Sequence, residues 1–194
     1  MTMTLSKGGN LSLTKQDPGL KRALVGLGWD ARSTNGAEFD LDASAFLLGD
    51  NGRIYGTGEQ SFVFYNNLAT PDRTVTHTGD NRTGDGDGDD EQILVQLDQL
   101  PASVQKIAIT VTIHDAAARR QSFGQVNNAF IRIANDETGR EVARFDLTED
   151  SSVETAMIFA ELYRYGGEWK LRAVGQGWQG GLKAMCDNYG LNIS

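Results

Sequence analysis

Alternating apolar and polar residues predict several short β-strands in this chain. In FDLDASAFLL (39–48), the odd-numbered positions up to Leu47 are apolar, whereas Asp40, Asp42 and Ser44 share the opposite face. KIAITVTIH (106–114) alternates in the same way, with isoleucine and valine on one face and threonine and His114 on the other. NLSLTK (10–15) also alternates, which predicts a further strand there.

Two longer segments are typical of β-hairpins. NNAFIRIANDETGREVARFDL (127–147) has two alternating strands around a turn at 135–139. AMIFAELYRYGGEWKLRAVGQG (156–177) predicts a second hairpin that turns at Gly166 and Gly167, although residues 154–162 are also good helix-forming sequence.

One convincing helix is predicted, in GLKAMCDNYG (181–190), where Gly190 fits a C-cap. Its apolar stripe follows the i, i+3, i+4, i+7 spacing of one helical face: Leu182, Met185, Cys186 and Tyr189. Short helical turns are predicted at 100–104 and 116–121. The pattern therefore predicts one domain over residues 1–194, mainly β, folded as an antiparallel β-sandwich with a C-terminal helix and short helical turns.

Composition narrows the possible functions. The net charge of −8 argues against a nucleic-acid-binding surface, which needs clustered lysine and arginine. The single cysteine, Cys186, excludes an internal disulfide and a multi-cysteine zinc site, and its place on the apolar helix face predicts burial rather than reactivity. Without a membrane-length apolar run or an N-terminal apolar stretch, the sequence predicts a soluble, cytoplasmic protein.

The chemistry of the chain is concentrated in TGDNRTGDGDGDDEQ (78–92). Six carboxylates fall within residues 80–91, against one cation, Arg82. A solvated turn is the usual explanation for such a loop, but this density of like charge is unfavourable without a counter-ion. Glycine alternating with aspartate lets several oxygens face one centre, as calcium requires. The spacing does not match an EF-hand, because Asp90 and Gln96 occupy the glycine and glutamate positions.

A second acidic group lies earlier in the chain. Asp40 and Asp42 are two apart on a predicted strand, hence roughly 6.6 Å apart on one face. Asp30 is close in sequence, and Asn66 and Asn67 follow the segment FVF with amide and main-chain oxygens. Taken alone, Asp40 and Asp42 predict an exposed strand face. Together with the acidic loop, the residues of this second group are candidates to complete a cation site.

Enzymatic alternatives remain open from the residues alone. The DLD triplet is typical of some metal-dependent enzymes on phosphate- or glycosyl-type substrates, although three-residue matches are weak. His77 borders the loop as a possible base or ligand, although a partly exposed strand-end histidine is the commoner case. His114 and Asp115 head a segment whose Arg119 and Arg120 suit either an anion site or a solvated turn. A third class is an interaction module, whose loops would dock partners once calcium has neutralised them.

The segments LSKGGNLSLTK, VGLGWD, FDLDASAFLL, FVFYNNL, HTGDNRTGDGDGDDE and RQSFGQVNNAFIRI together resemble the tellurium-resistance TerD family, in order and over nearly the whole chain. The resemblance implies a calcium-binding stress-response β-sandwich without catalytic activity, two bound calcium ions, and protein partners in a stress-response complex at the inner face of the membrane. It also implies this set of metal ligands: Asp30, Asp40, Asp42, Asn66, Asn67, Asp80, Asp85, Asp87, Asp89, Asp90 and Glu91.

Overall fold

The computed structural model describes residues 2–31, 36–79, 81–84, 88–147 and 153–193. These residues form two six-stranded sheets, in which every strand pair is antiparallel except the short first pair. In spatial order the first sheet contains β1 (Met3–Thr4), β10 (Glu141–Asp146), β9 (Phe130–Asn135), β3 (Arg22–Gly28), β7 (Glu91–Gln96) and β6 (Val75–His77).

The second sheet carries the longest strands. In spatial order it contains β2 (Asn10–Ser12), β12 (Glu168–Trp178), β11 (Ala156–Tyr165), β8 (Lys106–Ile113), β4 (Leu41–Leu48) and β5 (Phe62–Val63). Both predicted hairpins are confirmed: β9 and β10 pair across residues 136–140, and β11 and β12 pair across Gly166 and Gly167. Residues 156–162 are strand rather than helix because they are paired on both sides, with β8 and β12.

The helices are short except the last. They are α1 (Leu13–Gln16), α2 (Gly58–Ser61), α3 (Ala116–Arg119), a 3-10 turn (Phe123–Gln125) and α4 (Gly181–Tyr189). The prediction for the C-terminal helix is confirmed, and Gly190 ends it in the left-handed conformation, at φ 80°. None of the helices described is long and apolar enough to span a bilayer.

The main hydrophobic core lies between the sheets. The apolar faces predicted for β4 and β8 both enter it, from Leu41 to Leu47 and from Ile107 to Ile113. A second cluster covers the outer face of the second sheet, where Met185, Cys186 and Tyr189 of α4 pack on Phe46 and its neighbours. The antiparallel sandwich predicted from the sequence is therefore confirmed, and β4 in its second sheet is buried on both faces.

Three local predictions need correction. Residues 10–15 are not one strand, because the Ser12 hydroxyl accepts a hydrogen bond from the Lys15 N–H (3.1 Å) and starts α1. Residues 100–104 form a hydrogen-bonded turn instead of a helical one, although α3 confirms the predicted turn near 116. The polar face of β4 is not exposed: Asp42 is 5% exposed and Ser44 is fully buried.

Candidate functional site

The acidic segments meet at one end of the sandwich. In the first sheet, β3 ends at Gly28 beside the start of β7 at Glu91, because the two strands are antiparallel. In the second sheet, β4 begins at Leu41 beside the end of β8 at Ile113. These strand ends bring the loop after β6, the segment before β4 and the segment after β8 to the same end of the molecule.

Asn81 organises the described part of the acidic loop. Its side-chain amide donates to Asp90 Oδ1 (3.0 Å), and its backbone N–H donates to Glu91 Oε1 (3.3 Å). Its carbonyl oxygen Oδ1 accepts from the backbone N–H groups of Thr83 (3.1 Å) and Gly84 (3.2 Å). Sequence reasoning missed Asn81, although an asparagine two positions before a Thr-Gly pair is a recognisable turn signal.

Asp90 ties the loop to the end of β3. Its Oδ2 accepts from the Trp29 backbone N–H at 2.9 Å, and its own N–H donates to the Leu27 carbonyl at 2.7 Å. The Trp29 indole N–H in turn donates to the carbonyl of Phe39 (3.2 Å), directly before Asp40. One chain of hydrogen bonds thus connects the acidic loop to the segment that leads into β4.

Asp40 and Asp42 are buried carboxylates at this end of the sandwich, at 3% and 5% exposure. Asp40 Oδ2 lies 3.8 Å from Arg82 Nε and 3.7 Å from Arg119 Nη2. Asp42 Oδ2 lies 3.6 Å from His114 Nδ1. These separations are longer than hydrogen bonds, so the two arginines act on Asp40 mainly through charge. Arg119 therefore lies against Asp40, where sequence reasoning considered only an anion site or a solvated turn.

Glu91 points into the interior between the two sheets. Its Oε2 accepts from the Ala43 backbone N–H of β4 at 2.6 Å and lies 3.4 Å from His77 Nε2. His77 is 2% exposed, so the expectation of a partly exposed histidine is wrong; its Nδ1 accepts from the Gly79 N–H (3.2 Å). Burial raises the pKa of Glu91, and the neighbouring donors oppose that shift only in part.

Asp89 points to the opposite side of the first sheet. Its two oxygens accept from Arg132 Nε (2.6 Å) and Nη2 (2.7 Å), and Gln92 Nε2 donates to Oδ2 (3.0 Å). The hydrogen bonds with Asp89 raise the pKa of Arg132. Sequence reasoning missed Arg132, which follows Asp89 by 43 positions and belongs to another strand.

Of the three remaining predicted ligands among the described residues, Asp30 and Asn67 have contacts elsewhere. Asp30 is exposed, and its Oδ2 accepts from Asn128 Nδ2 at 2.6 Å. Asn67 Nδ2 donates to the carbonyl oxygens of Phe62 (2.6 Å) and Glu59 (3.3 Å), while Asn66 is exposed. Asn67 therefore stabilises the turn after β5 through its side chain, and Asn66 is the neighbouring residue in that turn.

Asp80, Asp85 and Asp87 lie outside the described residues. Within the ranges that are described, no three carboxylate, imidazole or thiol groups are arranged to hold a metal ion. The donors at this end are mainly carboxylate and amide oxygens, which is the chemistry that a hard cation such as calcium prefers. The described residues thus present oxygen donors of this kind, but by themselves they do not form a complete set of ligands.

Comparison with known proteins identifies the family to which this chain belongs. The TerD domain profile matches residues 1–189. The chain is 64% identical to tellurium resistance protein TerD of Serratia marcescens and 51% identical to general stress protein 16U of Bacillus subtilis, in both cases over the full length of both chains. A solved structure of a homologue of telluride resistance protein (TerD) from Streptomyces coelicolor A3(2) has the same fold, with a TM-score of 0.67 at 24% identity over 90% of this chain and 100% of that one. The chain therefore belongs to the TerD family of tellurium-resistance and stress-response proteins.

Proposed function

We propose that this chain is a calcium-binding stress-response protein whose acidic end becomes ordered when calcium binds. One observation carries the proposal: the buried carboxylates of Asp40 and Asp42 lie at the same end as the anchored acidic loop. Asn81 contacts Asp90 while the next residue, Arg82, approaches Asp40, so the two acidic groups are neighbours. A divalent ion would offset charge that the chain itself leaves in large excess.

The ligands are proposed from both acidic segments. Asp40, Asp42 and Asp90 supply oxygens from the described residues, and Asp80, Asp85 and Asp87 supply them from the Gly-Asp run. Two calcium ions match the number of acidic groups. Calcium suits this site better than magnesium, because magnesium keeps most of its waters and uses few carboxylates.

We propose an interaction module rather than a catalyst. Calcium would order the loop and switch on a docking surface for protein partners in a cytoplasmic stress-response complex at the inner membrane. Protection against tellurite would be indirect, since a protein with a net charge of −8 is a poor receptor for an oxyanion.

Calorimetric titration of EDTA-stripped protein with calcium, and separately with magnesium, tests the proposal. Saturating calcium should raise the free energy of unfolding by about 3–4 kcal/mol at 100–1,000 times Kd. The variant Asp85→Asn with Asp87→Asn should weaken binding. Asp98→Asn, an exposed carboxylate after the far end of β7, is the matched control and should not. The proposal fails if calcium neither binds below millimolar concentration nor raises the melting temperature.

Hydrogen exchange tests the ordering itself. Amides of residues 81–84 and 88–90 should exchange more slowly in calcium than in EDTA, whereas those of β8 should not change. Equal exchange in both conditions, with calcium bound, would mean that the loop is ordered without the ion.

A further inference from the structure

The outer face of the first sheet has a cradle for one carboxylate. Gln92 on β7, Gly26 on β3 and Arg132 on β9 are direct register partners, so they form one row across three strands. The carboxylate of Asp89 lies over Gly26, between donors from both neighbouring strands. The central strand thus provides the floor of the cradle, and its neighbours provide the walls.

The hydrogen bonds of the cradle already satisfy the carboxylate of Asp89, so this side chain does not need a metal ion as a partner. The side chain is 1% exposed and accepts three hydrogen bonds, two of them from the planar guanidinium of Arg132. A bidentate contact of this kind is both strong and directional. A calcium ion at Asp89 would have to compete with a guanidinium that already neutralises the carboxylate.

The floor of the cradle requires glycine. A Cβ at Gly26 would lie less than 3.0 Å from all three terminal atoms of Asp89. A Cβ at Gly28 would lie equally close to the Gly88 carbonyl oxygen and the Phe130 ring. The two glycines of VGLGWD therefore make room for residues 88 and 89 to fold back over β3.

Glu91 provides the matching anchor on the inner face. It is 1% exposed and bonds to the backbone of β4 in the opposite sheet, whereas Asp89 bonds to β9 in its own sheet. Two carboxylates only two positions apart thus hold the end of the loop from both sides of the first sheet.

We propose that Asp89 and Glu91 are positioning residues that fix the end of the acidic loop, and that neither is a metal ligand. This inference rests on the proposed calcium site. It confines the proposed ligands to Asp40, Asp42, Asp80, Asp85, Asp87 and Asp90. The Asp89–Arg132 pair holds the loop in place before an ion arrives, so it lowers the cost of ordering the site.

A double-mutant cycle tests the outer anchor, with Asp89→Asn, Arg132→Gln and the double variant. The melting temperature in excess EDTA and the calcium Kd are both measured. If Asp89 is an anchor, both single variants should melt several degrees lower without metal and bind calcium about tenfold more weakly, and the double variant should resemble the singles. Arg22→Gln, on the same face at the far end of β3, removes the same charge and breaks an ion pair with Asp136 away from the acidic loop, so it is the control for calcium affinity.

The opposite result follows if Asp89 is a ligand. Arg132→Gln would then bind calcium more tightly, because it removes a competing cation, and Asp89→Asn would melt higher in EDTA, because it removes a repelling charge. Either outcome overturns the inference. If Arg132→Gln does not fold, Arg132→Lys replaces it, because lysine keeps the charge and loses the bidentate contact. If Asp89 is an anchor, this variant should also melt lower in EDTA and bind calcium more weakly.

The inner anchor and the proposed function are tested separately. Glu91→Gln should retain calcium binding within about tenfold, whereas complete loss of binding with an intact fold would identify Glu91 as a ligand. If the wild type binds no calcium, the proposed function fails, and the melting temperatures of the double-mutant cycle in EDTA alone test the anchor. A non-additive loss of melting temperature supports the anchor, and additive or absent losses overturn it.

Discussion

Replacing Gly26 by alanine should displace the Asp89 side chain from its position over β3, and the substitution itself changes no charged residue. The new methyl group would occupy space that the Asp89 carboxylate fills, since ordinary contacts begin at 3.4 Å and this one would lie below 3.0 Å. Asp89 has no nearby place to go, because it is 1% exposed and bonded to Arg132 on one side and Gln92 on the other. The loop must therefore lift, and the bidentate pair must break.

The expected loss follows from that pair. Breaking a fully buried ion pair typically costs about 3–5 kcal/mol. Because the Arg132 side chain is 24% exposed and the lifted loop regains water, we expect the lower end of that range, about 3 kcal/mol. In a protein of this size about 1 kcal/mol corresponds to about 2–4 °C, so the melting temperature in EDTA should fall by about 6–12 °C. Circular dichroism during heating measures this directly.

Two further variants make the result specific. Gly49→Ala is the control, because the atom nearest to its Cβ would be 3.5 Å away and its backbone is outside the left-handed region. Asp89→Ala removes the clashing atoms, so Gly26→Ala should cost much less in that background. A Gly26→Ala protein that melts at or above the wild-type temperature would refute the reasoning, since alanine without a clash stabilises a strand by about 0.4–1 kcal/mol.

Two other predictions concern buried titratable groups. Because burial raises the pKa of Glu91 above its ordinary 4.5, its protonated form favours folding; the contribution is complete below that value and is lost as the pH rises through the folded-state pKa. The melting temperature of the wild type minus that of Glu91→Gln, in EDTA, should therefore fall as the pH rises above 4.5, and a rising difference would contradict the assignment. Burial raises the pKa of Cys186 to about 11, so the native thiol should react with iodoacetamide at pH 8 only at the rate of unfolding, and fast native labelling would show that the α4 face opens.

The fold was predictable because its signals are local. Alternation in residues 39–48 and 106–114 identified the faces that enter the core, and the Gly166-Gly167 pair marked its hairpin. The exposure of the other face was not predictable, because it depends on α4, whose Met185 and Tyr189 cover the second sheet from far along the chain. Periodicity assigns a residue to a face, but it does not show what covers that face.

The candidate site was predictable in location but not in its internal division of roles. Asp89, Asp90 and Glu91 are equivalent as letters in an acidic run, yet they bond to β9, to the end of β3 and to β4 respectively. Their partners Arg132, Trp29 and Ala43 lie 43 to 61 positions away. The paired glycines of VGLGWD were the only local signal of a close backbone approach, and they do not reveal what approaches.

The strand order has a consequence for how this protein is made. Each sheet pairs a strand from the beginning of the chain with one from late in it: β1 with β10 in the first and β2 with β12 in the second. The first sheet is therefore incomplete until β10 has been synthesised, and the second until β12 has been. The apolar outer face around Phe46 and Phe62 still lacks α4 at that later stage. The nascent chain exposes this aggregation-prone surface until α4 has left the ribosome. Yield in cells should therefore depend on chaperones that hold nascent chains until release.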